Sequence, residues 1–288
     1  MNERDWLIIT TLHEEKNITK TGKRLYISQP ALTYRINQIE KKFGVLLFHR
    51  GRYGIDFTKE GELVASYAAE MLRKLKNLQE NLSNQGEQIH GILRLGSTRT
   101  YSLYKLPNLL NKFSKLYPGI DFNVITDVSN NLIDYVLKNR LHVCFIRGNI
   151  PYWRHQKHTV ATEKLYIVSN KEIHIEDLPS LPRIDGARDP SLKTLITDWW
   201  NENFSGPPLI AMTVDNLEIT KKMVANGLGY TISPSMLFDE DEKDFFTIPL
   251  KDNKGHPLLW ETAIYYRDSV KKLALVKSFI EFIFENAK

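Results

Sequence analysis

Four apolar residues, Leu32, Ile36, Ile39 and Phe43, recur at spacings of four, three and four. At roughly 100° per residue they form one narrow stripe of a helix. Pro30, Thr33, Tyr34, Asn37, Gln38 and Lys41 fall on the opposite side, which carries amides, hydroxyls and a cation but no carboxylate. Ser28 stands where a cap belongs. Pro30 is tolerated in the first turn, where amide hydrogens have no helical partner. Alone, this pattern describes any amphipathic surface helix. Its polar face would also suit a DNA groove, where amides and hydroxyls pair with base edges and cations with phosphates.

The neighbouring segments favour the second reading. Trp6 to Glu15 reads as a helix with Trp6, Ile9 and Leu12 on one side. Thr19 to Leu25 reads as a short helix capped by Asn17 or Thr19. Only Tyr26 and Ile27 separate it from Ser28. Two short helices joined by a tight turn make a helix-turn-helix, whose second helix enters the major groove. Leu46 to Arg50 and Ile55 to Thr58 then read as strands around Gly51-Arg52-Tyr53-Gly54, a hairpin or wing. Arg50 and Arg52 would sit at its tip, within reach of phosphates or a minor groove. The plainer alternative is a solvated turn.

Thr58 can cap the next helix, Lys59 to about Gln85. Here Val64, Ala68, Met71, Leu75, Leu78 and Leu82 alternate spacings of four and three. That is the 3.5-residue repeat of a coiled-coil seam, on a helix roughly 37 Å long. Such a seam needs a partner, either the chain's own body or a two-fold mate, and the mate is expected. Residues 83–91 are polar with two glycines and read as a linker.

From Ile92 onward strands and helices alternate. Strands are expected at Ile92–Leu95, Phe122–Ile125, Val143–Ile146, Leu165–Ser169, Leu209–Thr213, Tyr230–Ser233 and Trp260–Tyr266. Helices are expected at Ser102–Tyr117, with Pro107 near its start, and at Asn130–Lys138, Ser191–Asn203, Leu217–Asn226 and Val270–Glu285. This alternation predicts an α/β fold with largely parallel sheets.

Length, 288 residues, suggests two or three domains. Residues 1–60 hold 11 Lys/Arg and 7 Asp/Glu, a net +4, whereas the rest of the chain is only +1. A basic head on a near-neutral body fits a nucleic-acid partner. The single Cys144 cannot form an internal disulfide, no apolar run approaches a membrane span, and Met1-Asn2-Glu3-Arg4-Asp5 is no signal peptide. A cytoplasmic protein without a membrane partner is expected.

The rival class is an α/β enzyme or a small-molecule-binding protein without sequence-specific DNA binding. Its support is thin. The histidines are scattered, and the one close pair, His155 and His158, has no cysteine or carboxylate beside it in sequence. Cys144 lies in an apolar strand and reads as core filling. Gly227-Leu228-Gly229 closes a helix and opens a strand, the reverse of a dinucleotide loop. An exported solute-binding protein would need a signal. No catalytic residue, metal or cofactor is expected.

The run Leu25-Tyr26-Ile27-Ser28-Gln29-Pro30-Ala31-Leu32-Thr33-Tyr34-Arg35-Ile36-Asn37-Gln38-Ile39-Glu40 resembles the winged helix-turn-helix of LysR-type transcriptional regulators. Phe43-Gly44, Leu47-Phe48-His49-Arg50 and Phe57-Thr58-Lys59-Glu60-Gly61 continue the match. It is dense over residues 5–65 and looser beyond, through Gly227-Leu228-Gly229-Tyr230 and Pro234. Two departures stand out. Thr21-Gly22 replaces two alanines, and Gly22 should loosen its helix by roughly 1 kcal/mol. Thr33 replaces a serine and keeps the hydroxyl.

The resemblance implies a repressor or activator binding double-stranded DNA as a homodimer or homotetramer. Residues 1–58 would be the DNA-binding domain and 59–90 the linker helix and hinge. Residues 91–288 would form an effector domain of two α/β lobes resembling periplasmic binding proteins. Lobe one would span about 91–161 plus 267–288, and lobe two about 162–266. The chain would cross between lobes near Ala161-Thr162 and near Tyr265-Tyr266-Arg267. The DNA-contact set would be Ser28, Gln29, Pro30, Thr33, Tyr34, Arg35, Gln38, Arg50 and Arg52.

Ligands of open α/β sheets sit beyond the carboxyl ends of strands. Those ends carry Ser97, Thr98, Arg99 and Thr100, then Asp127 and Ser129, then Arg147, and in the second lobe Asp215 and Asn216. Hydroxyls, helix starts and guanidinium groups favour an anion. Each residue alone could equally be a cap or a solvated loop. Taken with the resemblance, they form the candidate site for a small anionic effector.

Overall fold

The computed structural model describes residues 1–51, 54–83, 89–186, 189–238 and 244–286, apart from the side chains of 50, 77 and 80–83. It falls into two compact units, Met1–Glu87 and Gln88–Lys288.

The first unit contains α1 (Glu3–Glu15), α2 (Ile18–Leu25), α3 (Gln29–Phe43), β1 (Phe48–Gly51), β2 (Gly54–Phe57) and α4 (Lys59–Ser83). Helix α1 begins before Trp6 because Asn2 and Asp5 cap it reciprocally. Asn17, not Thr19, caps α2 by accepting the Lys20 amide at 3.0 Å. Ser28 occupies the cap position of α3, but its hydroxyl makes no capping bond. A Cβ on Gly22 would lie 2.7 Å from the Ile27 carbonyl oxygen. Glycine there lets the turn close tightly, which offsets the flexibility it adds to α2.

Ile8, Ile9 and Leu12 of α1 pack with Leu32, Ile36 and Ile39 of α3, and with Leu47 and Phe48 beside the wing. Phe43 leaves the predicted stripe. It is 44% exposed, because α3 ends at Gly44 (φ +69°) and the core below is completed by Leu47 and Phe48. Ala65 and Ala68 of α4 are buried in this same core, and Val64 packs against it. The seam is therefore divided. Its first positions, Val64 and Ala68, pack against the chain's own head.

The second unit runs β3 (Gly91–Ser97), α5 (Arg99–Tyr104), α6 (Leu106–Leu116), β4 (Ile120–Thr126), α7 (Ser129–Leu137), β5 (Val143–Arg147) and β6 (Gln156–Ser169). It continues with β7 (Arg183–Asp185), α8 (Pro190–Asn203), β8 (Ile210–Thr213), α9 (Leu217–Ala225), β9 (Thr231–Pro234), β10 (Phe246–Pro249), β11 (Leu259–Tyr266) and α10 (Ala274–Asn286). The expected helix over 102–117 is two helices. Pro107 starts the second of them, where its missing amide costs nothing.

Among the described residues one seven-stranded sheet has the order β10-β6-β11-β5-β3-β4, with β9 also on β6. Only β3–β4 and β3–β5 are parallel in it. The other pairs are antiparallel. The expectation of largely parallel sheets fails because β6 is a single 14-residue strand running through both lobes. Strand β11 returns alongside it, and an adjacent return must be antiparallel. Ala161, at the expected first crossing, stands opposite Thr262. From Thr262 to Tyr266 β11 is also paired with β5.

Strand β5 is buried throughout. Val143 and Phe145 face a core completed by Leu93, Leu95, Phe113 and Phe279. Cys144 and Ile146 face the other, with Leu132, Ile133 and Val136 of α7. In lobe two, Leu165, Ile167 and Tyr230 pack on Trp199 and Trp200 of α8.

Candidate functional site

The polar face of α3 is open. Gln29, Pro30, Tyr34, Asn37, Gln38 and Lys41 are exposed and Thr33 is half-buried. The Thr19 hydroxyl reaches Gln29 Oε1 at 3.4 Å. Arg35 is placed differently from its neighbours. It lies on the flank of the helix, and its Nε donates to Asp5 Oδ1 at 2.5 Å. Asp5 is only 4% exposed, and its other oxygen accepts the Asn2 amide at 3.0 Å. Burial alone would raise the Asp5 carboxyl. Hydrogen bonds from Arg35 and Asn2 outweigh that and hold it below the ordinary carboxylate range. The folded head therefore favours the ionised form. The stability this contributes is present above about pH 4 and is lost as pH falls through the lower native value.

Strands β1 and β2 pair from Phe48↔Phe57 to Gly51↔Gly54. Arg52 and the side chain of Arg50 lie outside the described residues. Along α4, Met71 and Leu75 are half-buried and Leu78 is 53% exposed. Leu63 and Tyr67 are also exposed, at 72% and 52%. The side chain of Leu82 lies outside the described set.

The strand ends of the second unit sort the candidate effector residues. Ser97 is fully buried, and its hydroxyl donates to the Thr98 carbonyl at 3.2 Å. That bond braces the strand end. Asp127 is a local brace. It accepts the Val128 amide at 2.7 Å, Asn131 Nδ2 at 3.0 Å and the Tyr135 hydroxyl at 2.9 Å. Asn216 Oδ1 caps α9 by accepting the Glu218 amide at 2.8 Å. Thr98 Oγ1 is buried with no partner among the described residues. Arg99 and Asp215 are exposed, and Thr100 and Ser129 are half-buried.

Arg147 has a partner inside the chain. Its Nη2 donates to both carboxylate oxygens of Glu163, at 3.1 and 3.0 Å, with both side chains at least nine-tenths buried. Burial pulls the Arg147 guanidinium down from its ordinary range, and Glu163 opposes that pull. Glu163 Oε2 also accepts the Met236 amide at 2.9 Å. The Arg147 charge is thus paired with the Glu163 carboxylate inside the chain. A second link spans the lobes, from the Tyr104 hydroxyl at the end of α5 to Glu218 Oε1 in the first turn of α9.

Glu163, Tyr104 and Glu218 were not singled out from the sequence. Each sits in an unremarkable local pattern and gains its meaning only from a partner on a distant element. His155 lies near Asp268 at 3.4 Å, while His158 packs on Phe284 and Tyr266, so the pair does not converge. Among the described residues, no group of three or more His, Cys, Asp or Glu is placed to hold a metal, and no helix is long and apolar enough to cross a membrane.

Residues 4–62 match the bacterial regulatory helix-turn-helix proteins of the lysR family, and residues 86–288 match the LysR substrate binding domain. The Bacillus subtilis (strain 168) protein described as "Uncharacterized HTH-type transcriptional regulator YraN" is 41% identical over 98% of this chain and 97% of its own length. A second protein of that organism, "Uncharacterized HTH-type transcriptional regulator YkuM", is 31% identical over 96% of this chain and 94% of its own. Full-length CbnR, solved in complex with its target DNA, shares the fold with a TM-score of 0.73 at 19% identity, covering 99% of this chain and 100% of CbnR. With a helix-turn-helix head that presents an open polar face and a substrate-binding domain of two α/β lobes, this chain belongs to the LysR family of DNA-binding transcriptional regulators.

Proposed function

We propose that the face of α3 reads the operator, with Gln29, Thr33, Tyr34 and Gln38 toward base edges and the wing arginines toward the backbone. The observation that carries this is an exposed, carboxylate-free face opposite the buried Leu32, Ile36 and Ile39. Gln38→Ala is expected to relax sequence choice, losing roughly 1–3 kcal/mol of discrimination if a bidentate base contact goes. Competition between an operator selected from a random duplex pool and the unselected pool measures this. An unchanged ratio would take Gln38 out of base reading.

The regulator acts as a cytoplasmic homodimer or homotetramer and carries no chemistry of its own. Pairing involves the outer part of α4, where Met71, Leu75 and Leu78 continue the repeat beyond the positions used by the head. A monomer in sedimentation would overturn that pairing.

The effector is a small anion held between the lobes, with carboxylates the first class to test. Thr98, Ser129 and Arg99 support this from one lobe, since a buried unpartnered hydroxyl at a strand end is otherwise costly. Asp215 and Asn216 are the candidates from the facing lobe. A true ligand raises the melting midpoint of the full chain by mass action. The rise is expected to vanish in Thr98→Val. An identical rise in both chains would move the site elsewhere.

A further inference from the structure

The side chain of Asp5 is an anomaly in a DNA-binding head. It is a carboxylate bonded directly to an arginine of the recognition helix, and long-range electrostatics alone would make it a hindrance to a polyanion. Its geometry suggests a different role. Arg35 is 42% exposed at the side chain, and among the described residues only its Nε is tied down. Guanidinium offers its donors in a planar fork. With Nε on Asp5, the outward edge formed by the two terminal nitrogens is left for another anion. Arg35 also lies on the flank of α3, about 70° from the centre of the buried stripe when wound at 100° per residue. A flank position meets the groove wall, where phosphates lie, rather than the base edges at its floor. Asp5 itself cannot swing away. It is buried, it caps α1 with Asn2, and each of its oxygens has its own donor. Arg35, Gln38, Lys41 and Lys42 share a groove of about 490 Å³ with Asp5, so the carboxylate sits at the base of a basic rim.

We propose that Asp5 is a positioning residue for DNA binding, which holds the Arg35 guanidinium with its outer edge presented to a backbone phosphate. This rests on the reading of α3 as the recognition helix. A free arginine side chain loses rotamer freedom when it docks, whereas one already anchored at Nε has lost it on folding. The benefit of anchoring must exceed the long-range repulsion between Asp5 and DNA.

The sign of one substitution separates the two effects. Because phosphate contacts are blind to sequence, a mixed-sequence duplex serves as the probe. Affinity of the full chain is measured by fluorescence anisotropy over a series of salt concentrations. Arg35→Ala is expected to weaken binding and to flatten the salt dependence by about one unit. Asp5→Asn, although it makes the head more basic, is expected to weaken binding by roughly three- to tenfold. In the Arg35→Ala background the same Asp5→Asn change is expected to do nothing or to tighten binding slightly. Melting curves of all four chains accompany the series, and affinities are compared at a temperature where all four are folded, so that the cycle reports coupling in DNA binding rather than in stability. Tighter binding by Asp5→Asn in the parent chain, or equal weakening in both backgrounds, overturns the proposal. If Arg35→Ala is silent while Lys41→Ala weakens binding, the proposal fails but α3 remains the DNA surface. If neither changes affinity, the recognition-helix reading fails with it.

Discussion

Gly61→Ala is expected to unfold the DNA-binding unit at temperatures where the parent is intact, although alanine is the better helix former. The position lies in the first turn of α4, directly beneath the chain entering the wing. A Cβ there would stand 1.8 Å from the Leu47 carbonyl oxygen and 2.7 Å from its carbon. Both atoms are backbone, so no rotamer change relieves the clash. The Leu47 carbonyl is also held in place, because it accepts the Thr58 amide at 3.0 Å. The Thr58 hydroxyl ties in the Leu46 carbonyl at 2.8 Å and accepts the Gly61 amide at 2.9 Å. A methyl group must push the wing off the helix and break this knot. Overpacking of about 1–3 kcal/mol plus one or two lost hydrogen bonds of about 1 kcal/mol each outweighs the roughly 1 kcal/mol gained in helix propensity. For a unit of this size a net loss of about 3 kcal/mol lowers the midpoint by on the order of 15 °C. Circular dichroism of the head, with DNA binding lost in parallel, measures it. A midpoint within two or three degrees of the parent's would mean that the wing can shift freely.

The second large effect is expected at Glu163. Removing its carboxylate in Glu163→Leu leaves the Arg147 guanidinium buried and uncompensated, and strips the Met236 amide of its acceptor. Breaking one side of a buried pair costs about 3–5 kcal/mol. Replacing both sides, as Arg147→Met with Glu163→Leu, removes the desolvated charge as well and is expected to recover most or all of that loss. The melting of the effector-domain transition is the readout, at about 2–4 °C for each kcal/mol in a unit of this length. A single variant as stable as the parent, or a double variant no better than the single, would show that water reaches Arg147. Because Glu163 bonds to groups of both lobes, the double variant also asks whether regulation survives when the lobes lose this polar tie.

Helix α3 was legible because its information is local: a stripe, a proline and a cap position within sixteen residues. The repeat along α4 was equally legible, but its partner was not. Nothing in the spacing of Val64 and Ala68 distinguishes the chain's own head from a second copy. The first half of β6 was missed because Gln156, Lys157, His158 and Thr159 show no apolar alternation. They are held by pairing to β11, a strand a hundred residues away. Arg147 drew attention as a lone charge ending an apolar strand. That signal was sound, but the register at the lobe crossing supplies its partner, and no local pattern encodes that. The Pro107 break shows the opposite error, a local rule read with the wrong element boundary.

The burial of Ala65 and Ala68 also bears on where this chain can be cut. A head severed after the wing at residue 58 would lose one wall of its core and present Ile9, Leu12 and Leu47 to water. Grafting experiments that exchange recognition helices between regulators must therefore carry the first half of α4 with the head. The natural seam for a chimera lies beyond Ser83, the last residue of that helix.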